Sequence, residues 1–127
     1  MSEDSAEIAA SLGDVLTDGE QVVVAAEGLM RTSGVAFDKC RVVLTQGRFI
    51  VLKAGWPWGF KVDRSIPRDD CRVKTTKERF DGSQLLVVSY SGGDVCLYFG
   101  RAEAGVVSTL RANFAPRGEA DVIVSVD

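Results

Sequence analysis

With 127 residues, 46% of them hydrophobic, the chain is sized for one domain with its own core and is too apolar for wholesale disorder. A net charge of −3 is far from the strongly basic balance of a dedicated nucleic-acid binder. No apolar run approaches the roughly 18–20 residues needed to cross a bilayer, and the chain holds no histidine, the commonest general base and metal ligand.

The first segment, MSEDSAEIAA, is acidic where a secretory leader would be basic and then continuously apolar, so a cytoplasmic location is expected. Residues 1–20 carry six acids and no base. Within them, 4–16 reads as a short amphipathic helix. Asp4 is placed to cap it with Glu7 three residues on, and Ile8, Leu12, Val15 and Leu16 share one face. Thr17-Asp18-Gly19 ends it. An N-terminal acidic segment, 1–18, is thus set apart from a main domain, 19–115, and a tail, 116–127.

From Glu20 to Phe99 the apolar period changes from 3.6 to 2. Strands are predicted at Glu20–Met30, Phe37–Thr45, Arg48–Lys53, Gly59–Ile66, Cys71–Lys77, Leu85–Tyr90 and Val95–Phe99. Gln46-Gly47 reads as a two-residue hairpin turn, with glycine supplying a positive φ. That turn sets Leu44 opposite Phe49 and Val42 opposite Val51. In the fourth strand Phe60, Val62 and Ile66 are expected on one face. In the fifth, Cys71, Val73 and Thr75 are expected to oppose Arg72, Lys74 and Thr76. After Gly100 the pattern is helical, with Val106, Val107, Leu110 and Phe114 in a stripe that Pro116 and Gly118 close. Asp121–Val126 reads as an eighth strand, able to pair with an open edge of its own sheet or a neighbour's.

Seven antiparallel strands and one closing helix make a mostly β domain. A sheet that long must curl or split to bury its apolar faces, giving a partly open barrel or orthogonal sandwich capped by the C-terminal helix.

Three stretches, in order, resemble the bacterial pleckstrin-homology-like (PH-like) domains, themselves related to the GRAM domains. Leu16-Thr17-Asp18-Gly19-Glu20 before a valine-rich strand is similar to that family's opening "L-x-x-G-E" turn. Val43-Leu44-Thr45-Gln46-Gly47-Arg48-Phe49-Ile50 is similar to its "LT-x-x-R-hydrophobic" hairpin, and Ser65-Ile66-Pro67 to its "s-I-P" element. The resemblance runs from about Leu16 to Phe114. It implies a seven-stranded barrel with a C-terminal helix, no enzymatic activity, and a role in protein interaction or self-assembly.

The residues themselves carry no catalytic motif, no metal-ligand spacing and no cofactor fingerprint. Cys40, Cys71 and Cys96 fall in or beside predicted strands and read as small core residues kept reduced. Two surfaces stand out as partner sites. Trp56 and Trp58 flank Pro57 between glycines, and either fold over the barrel end, contact a partner, or touch a membrane. Val43, Ile50 and Leu52 make the second face of the hairpin between the second and third predicted strands apolar, to be covered by the N-terminal helix or by a second copy. Residues 53–79 carry eight bases against four acids, so Arg41, Lys61, Arg72 and Lys74 are candidates for an anionic ligand or lipid headgroup. The leading expectation is a non-catalytic interaction module with a protein partner or itself, and no nucleic acid. Anion or headgroup binding is the alternative.

Overall fold

The computed structural model describes residues 15–17, 19–34, 36–55, 59–114 and 123–124, with Ser33, Ile123 and Val124 as backbone. Most of the expected N-terminal helix, the pair Trp56 and Trp58, and most of the tail lie outside these residues.

The alternating segments form strands close to their expected bounds. They are β1 (Val22–Ser33), β2 (Ala36–Thr45), β3 (Arg48–Ala54), β4 (Phe60–Pro67), β5 (Arg72–Glu78), β6 (Gln84–Tyr90) and β7 (Gly93–Phe99). Helix α1 (Ala104–Phe114) follows, then a short β8 (Ile123–Val124). One sheet runs in the order β4-β3-β2-β1-β7-β6-β5-β8, with antiparallel neighbours except for β8, which lies parallel to β5 along its edge. Ile123 and Val124 thus pair with an edge of this chain's own sheet.

The main core lies on the inner face, where Val42, Leu44, Phe49, Val51, Leu86, Val88, Leu97 and Phe99 are fully buried. Helix α1 seals it with Val107, Leu110 and Phe114, the last meeting Phe49 edge-on at 5.0 Å. Fully burying one such side chain contributes about 1.5–3 kcal/mol. A second, smaller core sits on the outer face of β1–β3: Ala25, Val43, Ile50 and Leu52 under Val15, Leu16, Val22 and Phe60. The two-sided apolar hairpin is thus covered within one chain, in part by the end of the acidic segment, where Val15 and Leu16 form a turn.

Three local expectations are corrected. The β2–β3 hairpin has the expected register, Leu44 with Phe49 and Val42 with Val51. Its turn, however, needs no positive φ at Gly47. Instead the Thr45 hydroxyl accepts the amides of Gly47 and Arg48 at 3.2 and 3.1 Å, a side-chain turn that satisfies two backbone donors. In β4 the register skips Asp63, so Ile66 pairs with Phe49 on the inner face while Val62 pairs with Leu52 on the outer one. The bulge leaves Val62 46% exposed. In β5 it skips Lys74, so Thr76, not Thr75, is the buried threonine. A one-residue slip flips every later side chain, and alternation alone does not reveal where the slip falls.

Gly28 marks where β1 meets β7, through Leu29 with Tyr98 and Met30 with Leu97. A Cβ there would stand 2.6 Å from the Tyr98 carbonyl oxygen and 3.0 Å from the Phe99 ring, so only glycine permits the approach. Gly105, in the first turn of α1, has open space around it. Gly28→Ala is therefore expected to lower stability by about 1–3 kcal/mol, as overpacking does. Gly105→Ala should raise it by about 0.5–1 kcal/mol through helix propensity. Urea unfolding of both variants checks this, and equal midpoints would contradict it.

Candidate functional site

The stretches Leu16–Glu20, Val43–Ile50 and Ser65–Pro67 converge on one side chain, Arg48. Its Nε donates to Glu20 Oε2 at 2.7 Å and its Nη2 to Glu20 Oε1 at 2.8 Å, a bidentate pair. Nη2 also donates to the Val15 carbonyl at 2.6 Å, and Nη1 to the Ser65 hydroxyl at 3.1 Å. Glu20 accepts further bonds from the Thr45 hydroxyl at 2.7 Å and the Thr17 amide at 3.0 Å. The Glu20 carboxylate is 8% exposed. The arrangement thus explains the spacing of these stretches as architecture: it ties the segment before β1 to the β2–β3 hairpin and to β4.

The Arg48 hydrogen bonds hold the Glu20 carboxyl at about 2, well below its ordinary 4.5. A carboxyl with a depressed folded pKa adds stability above its ordinary value and loses it as pH falls toward the folded one. Stability should therefore drop between about pH 4.5 and 2 in the wild type. Glu20→Gln should be less stable at neutral pH and show a shallower decline in that window. Chemical denaturation at several pH values tests this, and parallel profiles for the two proteins would contradict it.

The sequence-derived candidates disperse. Val43 and Ile50 are fully buried and Leu52 is 3% exposed, so a partner would reach them only by displacing the residues that cover them. Arg41 lies 4.2 Å above the Phe60 ring and 3.4 Å from Glu27. Lys74 pairs with Asp94 at 2.8 Å. Lys61 is exposed on β4 and Arg72 on β5, strands at different ends of the sheet order. Burial pushes the Cys40 and Cys71 thiols up to about 12, and raises that of half-buried Cys96 as well. All three lie far toward the unreactive thiol form. Among the described residues no group of three or more histidine, cysteine or acidic side chains is placed to hold a metal, and no helix is long and apolar enough to cross a membrane.

A groove of about 510 Å³ lies on the outer face where β1, β2 and β7 meet the β5–β6 hairpin. Leu29 from β1, Phe37 from β2 and Tyr98 from β7 give it an apolar wall, with Gly28 between the strands. Phe37 meets Tyr98 edge-on at 4.9 Å. Arg31 lies 5.5 Å from the Phe37 ring centre and donates to the Tyr98 hydroxyl at 3.3 Å, so it contacts both aromatics. Lys39 and Arg79 stand at its rim. Sequence reasoning passed over Leu29, Phe37 and Tyr98 because each sits within an ordinary strand. The available signal was phase: Leu29 alternates with the inward Met30, and Phe37 with the inward Cys40 and Val42 set, so both are apolar at outward positions.

No family model matches the sequence, and no curated protein matches it. Solved structures do. The chain is similar to the hSac2 domain from human phosphoinositide phosphatase Sac2, with a TM-score of 0.59 and 10% identity over 94% of this chain and 85% of that one. It is similar to the pleckstrin homology domain from Shewanella amazonensis SB2B, with a TM-score of 0.56 and 22% identity over 87% of this chain and 98% of that one. The linker-DH/PH domains of p115-RhoGEF match at a TM-score of 0.56 and 8% identity, over 87% of this chain and 33% of that longer one. Seven antiparallel strands with a C-terminal helix, in this company, make the chain a PH-like domain by fold.

Proposed function

We propose that this chain is a non-catalytic PH-like module of the bacterial, GRAM-related kind, acting in the cytoplasm by contacting another protein. The observation that carries the reading is the groove beside Leu29, Phe37 and Tyr98: an apolar concavity whose two aromatic rings pack edge-on against each other. Aromatic side chains held in one rotamer give up little entropy on binding, which is why they dominate contact energetics. The fold neighbours support a binding role in general, since one is a pleckstrin homology domain standing alone and another is a PH domain joined to a DH domain. The sequence supports the absence of catalysis through its lack of histidine and of any nucleophile motif.

Self-association through Val43, Ile50 and Leu52 draws no support from their burial beneath Val15 and Leu16. Anion binding by Arg41, Lys61, Arg72 and Lys74 has less to recommend it, since Arg41 and Lys74 already hold carboxylates.

The reading is tested by placing a photo-crosslinking amino acid at Phe37, and separately at Val62 as an exposed control, in the cells that make the protein. Discrete protein adducts at 37 and none at 62 are expected. No adduct at 37, or the same set at both positions, would overturn it.

A further inference from the structure

We infer that the groove takes an acidic segment of its protein partner, one whose carboxylates flank an aromatic or aliphatic side chain. This rests on the reading of the groove as a protein-contact surface and names what kind of chain fits it.

Two acids beside the groove are paired with cations. Glu27, on its wall, faces Arg41 at 3.4 Å, and Asp38 faces Lys53 at 3.4 Å. Asp81, in the adjoining hairpin, accepts the Ser83 amide and hydroxyl at 2.9 and 2.7 Å. Lys39 is exposed on one rim and forms no ion pair among the described residues, while Arg79, exposed on the other, has the Asp81 carboxylate close enough to feel its charge. Arg31 spends its guanidinium on Phe37 and the Tyr98 hydroxyl, with no carboxylate partner among those residues. With Glu27 and Asp38 paired, Arg31 and Lys39 leave the β1–β2 side of the groove positive, although the chain as a whole is acidic. A local field of that sign steers and selects an acidic chain.

The apolar content gathers at the same place. Five large hydrophobic side chains are exposed among the described residues, and three of them, Leu29 at 44%, Phe37 at 38% and Phe80 at 88%, line the groove or follow Arg79 at the tip of the adjoining hairpin. Free carboxylate or phosphate would leave this surface unused. A chain with an apolar side chain between its acids uses both.

The test uses the full chain, isotope-labelled, and two synthetic peptides. One carries alternating aspartate and glutamate around a phenylalanine and a leucine; its twin has lysine for every acid. The acidic peptide is expected to shift the amide signals of Leu29, Lys39 and Tyr98 saturably, and the lysine twin to leave them in place. The Lys39→Glu, Arg79→Glu double variant should weaken the acidic peptide by at least about tenfold while melting as the wild type does. Equal shifts from both peptides, or none from either, would overturn the inference. So would phosphatidylcholine vesicles with a fifth phosphatidylserine binding the wild type, but not the double variant, while the peptides do nothing. Photo-adducts at position 37 without any charge preference would sink this inference alone and leave the protein-contact reading standing. Absence of adducts would remove that reading itself.

Discussion

The bidentate pair between Glu20 and Arg48 decides how the outer face of this domain is closed. Arg48 follows the β2–β3 turn and Glu20 precedes β1, so one ion pair joins segments 28 residues apart. Because the same guanidinium also holds the Val15 carbonyl, the chain before β1 is drawn back across the sheet, bringing Val15 and Leu16 over Val43, Ile50 and Leu52. A partly buried pair of this kind, with the Arg48 side chain 26% exposed, owes its value to completeness. Both carboxylate oxygens and all three guanidinium nitrogens of the pair have partners, so neither charge is stranded in a low-dielectric site.

With that face closed, the free edges of the sheet become the remaining liability. An exposed edge strand invites pairing with another chain. At one end, the two residues of β8 pair with β5 at Thr76 and Lys77. At the other, β4 carries its bulge at Asp63 and turns Arg64 to the inner face beside Val51, where its Nη1 donates to the Tyr90 hydroxyl at 3.0 Å. A bulge and an inward charge both discourage a further strand from docking there. Arg68, just beyond β4, bonds the carbonyls of Thr45 and Gln46 and the side chain of Asn113, which anchors the helix over the inner core. The groove at the β1–β7 crossing stays open on the outer face.

Much of this was legible in the chain itself. Period-2 alternation and recurring glycine turns located all seven long strands to within a few residues, because a half-buried strand must alternate and a hairpin must turn. The stripe Val107, Leu110 and Phe114 foretold the capping helix for the same reason, at helical period. The bulges at Asp63 and Lys74 were not legible: they arise from the curl of the sheet, a tertiary property with no local signature here. Nor was the groove, since its wall needs three strands brought together and its charge depends on which cations remain unpaired. The motif resemblance pointed to the PH-like fold and not to a contact site. The residues that looked most characteristic, Glu20, Thr45 and Arg48, serve the architecture, while the candidate contact residues Leu29, Phe37 and Tyr98 belong to no motif.

If the outer face depends on Glu20 and Arg48 acting as one unit, removing either should cost nearly as much as removing both. A double-mutant cycle with Glu20→Gln and Arg48→Met, read by denaturant unfolding near neutral pH, measures that coupling directly. The account predicts an interaction energy of about 2 kcal/mol or more, within the range of buried paired groups. Additivity to within about 0.5 kcal/mol would mean the two side chains act independently, and would contradict it.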